Sequence, residues 1–182
     1  RHPAIHVEVV AENSFVDVLA AGFDAGIRYD ERVERDMIAI PIGPRQQRMV
    51  TAAAPSYLKR HGIPKHPDEL LQHALIRFRF SSGFLPPWEF SKNGRTRKIS
   101  GKGPVISNQI AIQIAAAEAG LGVAHTFEGF LAAALKARRL LPILEDWSDR
   151  FPGPYLYYAN RRHMPHALRS FVDFIKAEGT SS

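Results

Sequence analysis

The hydrophobic pattern predicts a strand, a helix and a second strand in Ile5 to Ile27, and the same order again in Val105 to Thr126. A chain that repeats this unit is held to an α/β architecture with more than one sheet, because each copy has its own apolar faces to cover. In the first copy "IHVEVV" (Ile5 to Val10) reads as a strand. Val16, Leu19, Ala20 and Phe23 then recur at i, i+3, i+4 and i+7, one apolar stripe of a helix, with Asp17 near its positive end. Gly22 ends that helix, since only glycine enters the left-handed conformation of a helix C-terminus without a Cβ penalty. Ala25 to Ile27 is short and apolar, as a buried strand is. A crossover of this length joins parallel neighbours with a right-handed turn, which puts Arg28 and Tyr29 at the carboxyl end of a parallel strand, where open α/β sheets take their ligands.

The remaining segments support two sheets. "MIAIPI" (Met37 to Ile42) is a strand whose Pro41 suits an edge, and "RMVTAAA" (Arg48 to Ala54) is extended again. With no helix between them, these segments carry the chain from one sheet into another. Two short helices follow, "PSYLKRHG" and "HPDELLQH", then an alternating strand "ALIRFRF" (Ala74 to Phe80) and a hairpin turned at Asn93-Gly94. Asn108 is the expected N-cap of a helix running to Gly120, after which "LGVAHT" returns as a strand. "FEGFLAAALKARR" is a further helix, "LLPILEDW" a strand or extended exit, "SDRFPGP" a loop and "YLYYAN" an aromatic strand. Leu168, Phe171, Val172 and Ile175 form the apolar face of a closing helix. The economical architecture is two Rossmann-like α/β lobes, residues 1–44 with 154–182 and residues 45–153.

The 182 residues, 45% of them hydrophobic, suffice to fill such cores. No run approaches the ~20 apolar residues that span a bilayer, and "RHPAIHVEVV" lacks the regions of a signal peptide. A chain that opens directly into a strand is expected to be a fragment of a longer protein. Zero cysteines exclude disulfides, thiolate metal sites and cysteine nucleophiles, and fit a cytoplasmic protein. Neither a phosphate-binding G-x-x-x-x-G-K-[ST], a G-x-S-x-G elbow nor an H-E-x-x-H metal pair occurs, so neither an enzyme nor a cofactor or metal protein is expected. The net charge of +6 allows an anionic partner. Its basic residues lie in small groups such as Arg45 with Arg48 and Arg77 with Arg79, which read as solvated surface rather than a nucleic-acid stripe.

"VDVLAAGFDAGIRYDE", "APSYLKRHG", "SNQIAIQIAAAEAGLGVAHT" and "YLYYANRRHMPHALRSFVDFI" together resemble the effector-binding domain of LysR-type transcriptional regulators, over essentially the whole chain. The resemblance implies a fold like that of type 2 periplasmic binding proteins, two lobes joined by two crossover segments. It implies a cytoplasmic sensor that takes a small effector, a carboxylate or other anion, between its lobes, forms homodimers or homotetramers, and touches DNA only through a winged helix-turn-helix domain. That domain, a linker helix and the first strand and helix of the sensor are expected to precede Arg1 in the family and to be absent here. By resemblance the effector residues are Asn13, Arg28, Tyr29, Phe78, Arg79, Asn108, Gln109, Thr126 and Phe127. Helix capping by Asn13 and Thr126, a surface ion pair for Arg28 and core packing for Phe78 are the alternative roles of those side chains. A solute-binding receptor of a transport system shares the fold and is the alternative function.

Overall fold

A computed structural model of the chain describes residues 5–11, 18, 20–29, 37–148, 150–160 and 164–179. Its elements are β1 (Ala25–Arg28), β2 (Met37–Pro41), β3 (Gln46–Ala53), α1 (Pro55–His61), β4 (Arg77–Phe78), β5 (Trp88–Lys92), β6 (Arg95–Ile99), β7 (Ile106–Ser107), α2 (Ile110–Glu118), β8 (Val123–Phe127), α3 (Glu128–Lys136), β9 (Leu141–Ile143), β10 (Arg150–Pro152), β11 (Tyr155–Ala159) and α4 (His166–Gly179). They divide between two compact units: residues up to 46 with those from 152 onward, and residues 47–151.

In the first unit β11 lies between β1 and β2 and is antiparallel to both, with Arg28 opposite Tyr155 and Tyr155 opposite Pro41. Pro41 thus sits on an edge strand, where its missing N–H costs no ladder bond. α4 closes one face: Leu168, Phe171 and Val172 pack with Leu156, Tyr158, Ile38 and Ile40. Two expectations fail here. Ile5 to Val10 joins no sheet among the described residues, and Val9 is 82% exposed. β1 is no buried parallel strand either, for its partner is the antiparallel β11 and Ile27 is 56% exposed. The local pattern specified a strand, but its neighbour comes from the far end of the chain. The helix expected ahead of Gly22 lies outside the described residues except for its end, where Gly22 has φ +81° and Phe23 N–H donates to Val18 O at 3.0 Å.

The second unit holds the larger core, with Leu70, Leu75, Ile76, Phe90, Leu131 and Leu140 fully buried. β5 and β6 form the expected hairpin, turned by Asn93 (φ +52°) and Gly94 (φ +73°), the two left-handed residues that a twisted two-residue turn demands. Trp88 and Phe90, buried on alternate positions of β5, fasten the hairpin to the core. α1, α2 and α3 form where expected. Pro67–Gln72 winds as a 3-10 rather than an α-helix, being too short to gain a full α ladder. Of Ala74 to Phe80 only β4 and a bridge at Leu75 are paired, and "SDRFPGP", expected as a loop, contains β10 beside β3. No described helix is long and apolar enough to cross a membrane.

Candidate functional site

Three strand ends of the second unit meet at one edge. β4 and β7 are parallel, with Phe78 opposite Ser107 and Arg79 N–H donating to Ser107 O at 3.1 Å. On the other side of the β4 line Leu75 bridges Val123 in parallel, fastened by Val123 N–H to Ala74 O (2.8 Å) and Ile76 N–H to Val123 O (2.9 Å). No further ladder bond joins these two among the described residues. The order is therefore second, first, third in sequence, and the two strands flanking the change of direction part after Ile76 and Val123. A crevice beyond the carboxyl ends at such a switch point is where doubly wound sheets bind ligands. Phe78 and Arg79 stand at the carboxyl end of β4 and Thr126 and Phe127 at that of β8.

α2 starts from the neighbouring strand end. Gln109, not the expected Asn108, is its N-cap; the turn is instead closed by Ser107, whose Oγ accepts the Gln109 N–H at 2.9 Å. Asn108 and Gln109 are exposed, while Gln113 is buried and its Nε2 donates to Ser107 O at 3.0 Å. The first turn of α2 contains no acidic residue, and no side chain caps it. Its free N–H groups and dipole favour an anion. α3, which starts from Phe127, differs: Glu128 occupies its first turn and meets Arg48 at 2.6 Å. That hydrogen bond holds the Glu128 carboxyl below the usual range and the Arg48 guanidinium above it.

Thr126 is only 3% exposed. Strand alternation places it on the face of β8 opposite His125, whose ring packs against Trp88 and Phe90. Phe127 is half-buried and lies 6.0 to 6.1 Å, ring to ring, from Phe151 and Phe130. Thus Phe78, Arg79, Asn108, Gln109, Thr126 and Phe127 gather at one edge of one unit. Arg28 and Tyr29 belong to the other unit, where Arg28 lies over the Tyr157 ring at 4.7 Å and Tyr29 is 47% exposed. Asn13 lies outside the described residues.

The model of the LysR substrate binding domain matches residues 1–180. The chain belongs to that family. This LysR substrate-binding domain is 38% identical over 176 residues to the Escherichia coli K12 HTH-type transcriptional regulator YcaN, covering 97% of the chain and 57% of that protein. It is 32% identical over 179 residues to the regulator PgrR of the same organism, covering 98% of the chain and 60% of that protein. The full-length structure of the Vibrio cholerae virulence activator AphB matches with a TM-score of 0.80 at 27% identity, over 96% of this chain and 58% of that one. The LysR substrate-binding domain thus spans about three fifths of the length of these relatives. It has the α/β periplasmic-binding-protein-like fold of the family's regulatory domains.

Three contacts of the domain differ from what the sequence pattern alone implies. Arg77, grouped with Arg79 as solvated surface, is 6% exposed: its guanidinium donates to the carbonyls of Gly101, Leu85 (3.5 Å) and Pro86 (2.8 Å), and burial pushes its pKa down. The alternation of "ALIRFRF" was the available signal, because it puts Arg77 in line with the apolar Leu75. His125 bonds Thr51 Oγ1 at 2.8 Å through Nδ1, and Arg48 pairs with Glu128. Both are cross-strand or strand-to-helix contacts for which a single sequence carries no spacing rule.

Proposed function

We propose that this domain is the effector sensor of a LysR-type regulator and that it holds a small acid in the crevice where β4 and β8 part. The change of strand direction at β4, paired in parallel with β7 on one side and bridged to Val123 on the other, is the observation that carries the reading, because ligands bind beyond the carboxyl ends at such a switch point. The open N-terminus of α2 and the exposed Arg79 supply positive potential beside it. Arg28, Tyr29 and Asn13 are proposed as further contacts. In the whole protein a helix-turn-helix domain reads the bound state, in keeping with the names of the relatives, and the chains associate as homodimers or homotetramers. Those names also favour a sensor over a transport receptor.

Calorimetric titration of the full-length protein with acetate, succinate and benzoate tests the reading. A charge-assisted hydrogen bond contributes about 1.5 to 3 kcal/mol, so Arg79→Ala should weaken the best-bound acid by about tenfold or more. Thr126→Val, which keeps the shape and removes the hydroxyl, should weaken it less but measurably. Binding by no acid of the three, or affinities indifferent to both substitutions, overturns the proposal.

A further inference from the structure

We propose that the acid taken at this edge carries an aromatic ring, received by Phe84 at the closing end of a hydrogen-bonded loop and by Phe78 ahead of that loop. This rests on the effector reading above and deepens it. The loop from Phe80 to Phe84 is closed by Phe80 N–H to Phe84 O and Gly83 N–H to Phe80 O, both 2.9 Å, with Gly83 at φ +85°. This is the three-residue turn whose last position is left-handed. Beyond it, the buried Arg77 grips the carbonyls of Leu85 and Pro86. Phe84 is therefore 58% exposed on a backbone fastened on both sides.

The rings continue inward without a break. Phe84 stacks on Phe80 at 6.3 Å and 14°, and Phe80 meets Phe78 edge-on at 5.1 Å, so one aromatic file runs from solvent to the end of β4. At the end of β8 Phe127 begins a second file with Phe130, itself 53% exposed. Aromatic pairs prefer such offset and edge-to-face contacts, and a preformed loop spends little ordering entropy on receiving one more ring. Charge narrows the class further. Within the second unit Arg48 is engaged by Glu128 and Arg77 is buried among carbonyls, so that this edge itself offers the ligand Arg79 and the start of α2. That suits one carboxylate on an apolar body better than a compact dicarboxylate.

The test compares benzoate with succinate on the full-length protein by titration calorimetry, in wild type, Phe84→Ala, Phe84→Leu and Thr126→Val. Benzoate should bind at least about tenfold more tightly than succinate, and Phe84→Ala should cost benzoate about fivefold or more while leaving succinate unchanged. Phe84→Leu, which keeps apolar area but no ring, should recover only part. If succinate binds as well as benzoate and responds to Thr126→Val, the aromatic assignment falls and the site stands. Benzoate binding that ignores Phe84→Ala also overturns the assignment. If neither acid binds, the site reading falls and takes this proposal with it.

Discussion

Gly26 faces Tyr157 across β1 and β11, and a Cβ on it would stand 2.4 Å from the phenol oxygen and 2.5 Å from the ring carbon that bears it. The Tyr157 ring occupies the space that glycine leaves, and Arg28 covers it two residues further along the same face of β1. Gly26→Ala must push the ring aside and loosen Arg28; a destabilisation of about 1 to 3 kcal/mol in urea unfolding is expected. His125 makes a different prediction. Burial pushes its pKa from 6.5 down to about 3, so the folded state holds it neutral while the unfolded state takes up a proton near 6.5. Its contribution to stability is complete above pH 6.5 and falls by up to ~1.4 kcal/mol per pH unit as pH drops towards 3. Urea midpoints at pH 7.5 and 4.5 should diverge more for wild type than for His125→Gln. At this scale the sequence disclosed strand-end positions but no partners: "GIRY" marked Arg28 and Tyr29, whereas Trp88 and Phe90, which bury His125, lie far from it along the chain.

α2 and α3 end alike with different residues. After α2, Gly120 (φ +73°) donates to Ala117 O and Leu121 to Ala116 O; after α3, Arg138 (φ +56°) donates to Leu135 O and Arg139 to Ala134 O. This is the paired-bond termination that wants glycine at the left-handed position. Arg138 is exposed and carries there a Cβ penalty of about 1 kcal/mol, so Arg138→Gly should stabilise the domain by up to that amount in thermal unfolding. Legibility of the elements follows the same chemistry. Gly22, Gly120 and Asn93-Gly94 announced their turns because their conformations need those residues. The end of α3 gave no such signal, and β10 went unseen because three residues with a proline become a strand only beside β3. Asn108 does not cap α2, since Ser107, one residue earlier, holds the turn.

The two units are unequally filled. Among the described residues the buried apolar cluster of the first is Leu156, Tyr158 and Val172, while that of the second runs from Val50 to Leu144. Amides of β1 and β11 should therefore exchange with deuterium sooner than those of β3 and β8, because local opening follows the depth of the core. Equal protection in both sheets would contradict this. A cognate acid at about 100 times its dissociation constant should add ~2.7 kcal/mol of stability to the folded protein, read as a raised melting temperature. The family and α/β class were legible from blocks such as "GFDAGIRY" and "APSYLKRHG", while the pairing of β1 was not, because hydrophobic pattern sets which residues form a strand and says nothing of a neighbour at the other end of the chain. That neighbour has a consequence during synthesis. Residues 47–151 are one unbroken stretch, able to close their core as soon as they leave the ribosome. β1 and β2 emerge earlier yet must wait for β11, the strand that lies between them. For the seconds that translation takes to deliver it, at ~5 to 20 residues per second, β1 and β2, made before the second unit, lack the strand that joins them, and both are open to chaperones and proteases that the finished sheet excludes.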